Sequence, residues 1–159
     1  MIKSDRESSI SYQISYTENL LRNVLNARLN EFNVDITPEQ FLILDLLIEE
    51  NKEISMQWIS KKIHRDNSSI TRSIDCLEKK NYVSRINALK DRRKKIIIIT
   101  EKGKEIYIEA KKVAKQHIEI TTTRLTNHQI EELLKSLKII QQNLIIYKNE
   151  DKITQTKSI

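Results

Sequence analysis

The feature that most constrains the fold is the presence of only one glycine and one proline in 159 residues. A β-sandwich or β-barrel needs a turn about every 8 to 12 residues, and glycine and proline are the main turn formers. The sequence therefore predicts a mainly α-helical protein. At roughly 100 to 200 residues per domain, the chain is long enough for one domain, alone or with an appended oligomerisation element.

Cysteine content and hydropathy argue against several other classes of protein. The single cysteine, Cys76, allows neither an intramolecular disulfide nor a thiolate zinc cluster. Residues 1–32 lack the pattern of a signal peptide, and no segment approaches the roughly 18 uncharged apolar residues of a membrane span. We therefore expect a cytoplasmic protein with no membrane partner. Whether Cys76 senses oxidants stays open, although an oxidised Cys76 would have no second cysteine to pair with.

Helical periodicity and capping signals account for most of the chain. The first amphipathic stretch predicts a helix at about 9–32. Thr37 and Gln40 form a capping box around Pro38, so a second helix begins at 38, and the apolar run 41–48 predicts that it is covered on most sides.

Two long helices are predicted after the middle of the chain, at about 101–122 and 127–148. Thr126 and Gln129 form another capping box before the second of them. That helix has apolar residues at a 3,4 spacing typical of a coiled-coil contact: Ile130, Leu133, Leu137, Ile140, Leu144 and Tyr147. The last ten residues are polar and are expected to fray.

The segment between residues 55 and 81 has the pattern of two short helices joined by a tight turn. Ser55 can cap the first helix, and Asp66 can cap the second. The second helix has an apolar stripe expected to face inward: Ile70, Ile74 and Leu77. At 100° per residue, the opposite side presents Ser68, Ser69, Arg72 and Cys76. Asn81 follows where a left-handed helix stop is expected.

A β-hairpin with a basic tip is predicted next. Segments 82–87 and 95–100 are rich in β-branched residues and flank the polar stretch 88–94. The whole chain has a formal net charge of +6. Residues 60–95 hold twelve basic and four acidic side chains, so this segment is +8 and the remainder is −2. This asymmetry is typical of a duplex-binding surface, although a charged solvated face would look similar.

Residues 54–103 resemble the winged helix-turn-helix core of the MarR (multiple antibiotic resistance regulator) family. The resemblance lies in the recognition-helix segment 66–85, the Lys-Asp-Arg-Arg-Lys wing 90–94 and the Ile-Thr-Glu-Lys-Gly helix start 99–103. It implies a dimeric bacterial transcriptional regulator, usually a repressor, with a DNA-binding lobe (37–100) and a helical dimerisation lobe (1–36 and 101–159). The fold class is then mainly α with a small β-hairpin wing.

Two groups of candidate DNA-binding residues follow. The recognition-helix group is Ser68, Ser69, Thr71 and Arg72. Hydroxyls and backbone N–H groups at a helix N-terminus can donate to phosphates or base edges, and an arginine one turn on can reach guanine O6 and N7. Two alternatives stay open: Arg72 binds only phosphate, and Ser68 and Ser69 only cap the helix.

The wing group is Asp91, Arg92, Arg93 and Lys94. Asp91 and Arg93 are two residues apart, so on an extended tip they point the same way, and the carboxylate can hold the guanidinium for insertion into a narrow minor groove. The resemblance implies these same roles for Arg93 and Asp91. An ordinary surface ion pair is the alternative.

The sequence departs from the family pattern in three places. His64 and Arg65 stand where a glycine and an apolar residue are usual, which leaves the helix crossing and a phosphate contact by Arg65 open. Asn81 replaces a usual glycine. Cys76 stands where a basic residue is common, so one phosphate contact is absent from the pattern.

No enzyme motif, cofactor signature or metal site is apparent, since the one metal-like spacing, His128 with Glu131 or Glu132, fits a solvated helix start better. The prediction is a homodimeric, sequence-specific DNA-binding regulator, most simply a repressor of a pseudo-palindromic operator. The resemblance also implies release by a small phenolic or lipophilic effector; ligand residues are not identified. The alternatives are a non-specific architectural DNA-binding protein and a winged-helix protein-interaction adaptor.

Overall fold

The computed structural model describes residues 5–50, 54–88 and 95–156, which form a mainly helical fold with one β-hairpin. After a short 3-10 turn at Asp5–Ser8, the elements are α1 (Ile10–Glu31), α2 (Pro38–Glu50), α3 (Met56–Ile63), α4 (Asn67–Lys79), β1 (Val83–Asn87), β2 (Lys95–Ile99), α5 (Glu101–Thr122) and α6 (Asn127–Thr156). The predicted fold class is confirmed. The chain divides into two compact units, one ending at Ile118 and the other beginning at Glu119.

Helix α2 is the centre of the first unit and packs against α1, α3, α4 and β2. Ile43 and Leu44 are completely buried in the core together with Leu29 of α1. The prediction that α2 is covered on most sides is confirmed except at Leu42, which is 49% exposed. Because α2 touches both helices of the helix-turn-helix, it fixes their position.

The predicted helix starts are confirmed by side-chain caps. At α2, the Thr37 N–H donates to Gln40 Oε1 (3.0 Å) and the Gln40 N–H donates to Thr37 Oγ1 (3.2 Å). At α3, Ser55 Oγ accepts from the Trp58 N–H (3.2 Å). At α4, the Asp66 carboxylate accepts from a backbone N–H in the first turn. Each cap satisfies an N–H that the helix itself leaves unpaired.

Three helices end at a residue with positive φ that is not glycine. These residues are Asn33 after α1 (57°), His64 after α3 (55°) and Asn81 after α4 (59°). Asparagine adopts this left-handed conformation readily, and the role is more often filled by glycine. The prediction for Asn81 is confirmed. His64 takes the same conformation, so the helix turn forms without the glycine usual in the family.

The hairpin is a two-stranded antiparallel sheet whose register runs from Val83 opposite Ile99 to Asn87 opposite Lys95. An isolated bridge adds Ile54 to its edge, where the Ile97 N–H donates to the Ile54 carbonyl (2.8 Å). Sequence reasoning missed this bridge, because a single bridging residue has no periodicity. It joins the segment just before the helix-turn-helix to the middle of β2.

Helix α5 begins at a tight contact with the chain that enters β1. Thr100 Oγ1 accepts from the Gly103 N–H (3.0 Å) and donates to the Asn81 carbonyl (2.7 Å). A Cβ atom on Gly103 would lie only 2.0 Å from the Tyr82 carbonyl oxygen. The single glycine therefore serves a close approach between backbones and not a turn.

Polar contacts connect α5 to α1 and α2. The buried Tyr107 hydroxyl donates to Asp45 of α2 (2.7 Å) and accepts from Lys111 (2.8 Å), and burial raises the pKa of Tyr107. The Arg28 guanidinium of α1 donates to Gln116 (3.0 Å). The adjacent His117 is buried, and burial followed by the nearby Arg28 charge lowers its pKa. The lowered pKa favours the neutral form of His117.

Helix α6 continues to Thr156, eight residues beyond its predicted end. The prediction that the last ten residues fray is therefore wrong for 150–156, where the sequence contains no proline or glycine to end the helix. Over 127–148, where side chains are described, none is buried. Within the described part of the chain, no helix is both long enough and apolar enough to span a membrane.

Candidate nucleic-acid interface

Helices α3 and α4 form a helix-turn-helix whose turn is held by the Ser60 side chain. Ser60 Oγ donates to the Arg65 carbonyl (2.6 Å), and the Arg65 N–H donates back to the Ser60 carbonyl (3.1 Å). The predicted inward stripe of α4 is confirmed, because its three residues are completely buried: Ile70, Ile74 and Leu77. The opposite side of α4 is therefore presented to solvent.

The exposed side of α4 carries two of the predicted residues. Ser68 and Arg72 are both exposed and lie one turn apart on the same face. Beside them, the hydrogen bond from the Ser69 N–H (2.8 Å) lowers the pKa of the Asp66 carboxyl. The first turn of α4 is thus capped, while its outer face remains accessible to a groove.

The other two predicted recognition residues are half-buried and make internal hydrogen bonds. The Ser69 hydroxyl donates to the Glu39 carboxylate (3.1 Å), and the Thr71 hydroxyl donates to the Asn67 carbonyl (2.7 Å). The Ser69 hydroxyl thus links α4 to α2, whereas the Thr71 hydrogen bond lies within α4. Only Ser68 and Arg72 of the four present exposed side chains.

Sequence reasoning omitted two exposed residues of α4. Asn67 begins the helix next to Ser68, and Lys79 ends it. An asparagine can pair with adenine through two hydrogen bonds, and a lysine can bind phosphate. Their positions at the two ends of the recognition helix could have identified them from the sequence as candidate DNA contacts.

The base of the hairpin is fixed to α4 by an ion-pair cluster. Arg85 of β1 pairs with both Asp75 and Glu78 of α4, and its N–H also donates to Glu78 (3.2 Å). One guanidinium is thus shared by two of the four carboxylates in the basic segment, and the three groups together carry a net charge of −1. These ion pairs join β1 to the recognition helix α4.

The predicted wing residues lie beyond the part of the hairpin that the structure describes. Asp91, Arg92, Arg93 and Lys94 all fall within 89–94, outside the described residues. The strands end at Asn87 and Lys95, whose side chains are hydrogen bonded to each other (2.8 Å). The roles of the four tip residues stay predictions.

Arg65, which departs from the family pattern, is held by two carboxylates. Its guanidinium lies 3.2 Å from Glu18 of α1 and 3.9 Å from Glu39 of α2. The side chain thus links the turn to two other helices. The Arg65 side chain is 47% exposed, so a phosphate contact by its remaining donors stays a prediction.

Cys76 and His128 are the cysteine and the metal-like histidine that the sequence singled out. Cys76 is half-buried on α4, and His128 is exposed in the first turn of α6. Across residues 5–50, 54–88 and 95–156, no three His, Cys, Asp or Glu side chains are grouped to hold a metal ion.

The fold and this surface define a winged helix-turn-helix protein of the DNA-binding class. Residues 36–95 match the MarR family. The chain is 27% identical to the HTH-type transcriptional regulator SarZ of Staphylococcus haemolyticus over 113 residues, which are 71% of this chain and 75% of SarZ.

Solved structures show the same fold over nearly the whole chain. The transcriptional regulator BldR of Sulfolobus solfataricus is 29% identical, with a TM-score of 0.77 over 90% of this chain and 99% of BldR. The repressor CouR, solved on a 23-mer DNA duplex, is 24% identical, with a TM-score of 0.78 over 89% and 99%. These findings support a MarR-family winged-helix protein that is a DNA-binding transcriptional regulator. The family indicates a non-enzymatic role.

Proposed function

We propose that the protein is a sequence-specific regulator that reads double-stranded DNA with α4 in the major groove and the hairpin tip in the minor groove. The observation that carries this proposal is the exposed face of α4. Ser68 and Arg72 stand there on a helix whose other side is buried and whose end is ion-paired to the hairpin. A rigid helix with exposed donors one turn apart is suited to base edges. The DNA-bound structure of CouR supports this partner.

The exposed apolar surface supports a homodimer. Helix α6 has exposed leucine, isoleucine and tyrosine side chains and no buried one between 127 and 148. Helix α1 similarly exposes Ile10, Ile14, Leu20, Leu21 and Val24. Such apolar surface on long helices is typical of a dimer interface. In this proposal, residues 1–36 and 101–159 form the dimerisation lobe and 37–100 the DNA-binding lobe.

A two-fold dimer places two recognition helices on one duplex. If they lie one DNA turn apart, about 34 Å, the operator is a pseudo-palindrome with half-sites about 10 bp apart. Binding there would block RNA polymerase and repress transcription, in a protein that acts in the cytoplasm.

An effector that releases the protein from DNA completes the proposal. CouR of Rhodococcus jostii has been solved with p-coumaroyl-CoA, which supports a small phenolic or lipophilic ligand for this chain too. An effector shifts the equilibrium only by its differential affinity for the DNA-binding and released states. A thermal-shift screen followed by a DNA-release assay tests this, and a stabilising ligand that leaves DNA affinity unchanged would count against the coupling.

The Arg93→Ala variant tests the wing. We expect specific DNA binding to weaken by roughly tenfold or more, because a minor-groove arginine and its phosphate attraction are both lost. Binding is measured by fluorescence anisotropy. The oligomeric state is measured by sedimentation and should not change. Arg124→Ala, which removes an equal charge from an exposed position between α5 and α6, is the matched control. Equal affinities for Arg93→Ala and the control would contradict a role for the wing.

A further inference from the structure

Glu39, in the first turn of α2, is hydrogen bonded to the recognition helix. Both of its carboxylate oxygens lie 3.1 Å from Ser69 Oγ, and the Ser73 hydroxyl also donates to it. The Glu39 side chain is only 24% exposed. Ser69 and Ser73 are four residues apart and lie on the same side of α4. One carboxylate of α2 therefore binds two successive turns of α4.

Arg65 extends this contact to a third helix. It lies in the turn between α3 and α4, where its guanidinium is 3.9 Å from Glu39 and 3.2 Å from Glu18 of α1. The Arg65 charge, which is shared with Glu18, offsets part of the negative charge of Glu39 that a phosphate backbone approaching α4 would meet. The contacts thus run from α1 through the turn to the recognition helix.

These contacts restrict the rotation of α4 about its own axis in addition to the packing of the apolar core. The buried stripe of Ile70, Ile74 and Leu77 sets how deeply α4 sits, but hydrophobic contact is not directional. Hydrogen bonds to a carboxylate are directional and stronger than neutral ones. Two of them from successive turns therefore restrict the rotation of α4 about its axis, and this rotation decides where Ser68 and Arg72 point.

We propose that Glu39 is a positioning residue for DNA reading. It binds no base or phosphate itself, but holds α4 in the rotation that directs Ser68 and Arg72 outward. This inference rests on the proposed function, because it assumes that the exposed face of α4 reads a specific sequence.

The test compares Glu39→Ala, Glu39→Gln and Ser73→Ala with the unaltered full-length protein on a selected operator and on a random duplex. For Glu39→Ala we expect operator affinity to fall roughly tenfold or more, as expected for lost hydrogen bonds to a charged group, while random-duplex affinity changes by less than about twofold. Ser73→Ala should also weaken operator binding, even though Ser73 faces Glu39 and not the proposed DNA-reading side of α4. Glu39→Gln, whose amide oxygen still accepts, should retain more affinity than Glu39→Ala.

Matched controls separate positioning from charge and from stability. Glu109→Ala removes one exposed carboxylate from α5 and should bind the operator like the unaltered protein. Adding Ser73→Ala to Glu39→Ala should cost little more than Glu39→Ala alone, because both remove the same contact. Additive losses, or equal losses on operator and random DNA, would overturn the proposal.

A measurement without DNA keeps the inference independent of the proposed function. Amide hydrogen exchange of residues 69–73 should be faster in Glu39→Ala than in Glu109→Ala, at a temperature where both are folded. Unchanged exchange would overturn the positioning role. If the unaltered protein prefers no DNA sequence but exchange is faster in Glu39→Ala, the proposed sequence-specific function is contradicted. The role of Glu39 in holding α4 is then still supported.

Discussion

Replacing Gly103 with alanine is expected to lower the free energy of unfolding by about 3 kcal/mol, at the upper end of the effect of overpacking a tight site. The added Cβ would lie 2.0 Å from the Tyr82 carbonyl oxygen and 2.8 Å from Ile99 Cγ1. The nearest atom is backbone and is hydrogen bonded to the Thr100 N–H (3.1 Å), so it cannot move without disturbing the start of α5.

This predicted loss of stability is opposite in sign to the change that helix propensity alone would give. Alanine is favoured over glycine inside a helix by about 1 kcal/mol, so without the clash the substitution would stabilise α5. Urea unfolding followed by circular dichroism measures the difference. Glu105→Ala, at an exposed position in the same turn, is the control and should change stability by less than about 0.5 kcal/mol. A Gly103→Ala variant as stable as the unaltered protein would contradict the packing described here.

The Arg72→Ala variant is expected to lose about 1 to 3 kcal/mol of binding free energy for the operator, the value of a good bidentate contact to guanine. Arg72 is exposed on the outer face of α4, one turn after Ser68, so its removal should leave the fold unchanged. Affinity for random duplex DNA should fall much less. The measurement is a pair of anisotropy titrations, one on each duplex.

A phosphate-only role for Arg72 gives a different result. Affinity would then fall by the same factor for every sequence, and the salt dependence would decrease by about one counterion. Lys79→Ala, at the exposed end of the same helix, is the matched control and should show that uniform pattern. If Arg72→Ala behaves like Lys79→Ala, base reading by Arg72 is contradicted.

The features that could be predicted from sequence depend on residues close together in the chain. The caps at Thr37, Ser55 and Asp66 each join a side chain to an N–H three residues on, so spacing alone reveals them. The inward stripe of α4 follows from helical periodicity in the same way. The left-handed stop at Asn81 was readable from the residue type.

The features that were missed depend on distant contacts or on competing roles. Glu39 and Ser73 are 34 residues apart, so no local pattern links them. Ser69 has the residue type of a DNA contact, but its hydroxyl is bound to Glu39. Similarly, Ile54 is identified as part of the sheet only by its pairing with Ile97. The candidate site is therefore predictable as a surface, whereas the division between reading and supporting residues needs the fold.

The central claim is that this protein binds one DNA sequence as a dimer. Selection of binding sites from random duplex DNA, carried out with the purified protein at two salt concentrations, tests it most directly. We expect enrichment of a palindrome with half-sites about 10 bp apart that survives the higher salt. Binding that disappears with salt and leaves no motif would contradict the claim and indicate an architectural protein, and absence of binding at both salts would indicate a protein-interaction adaptor.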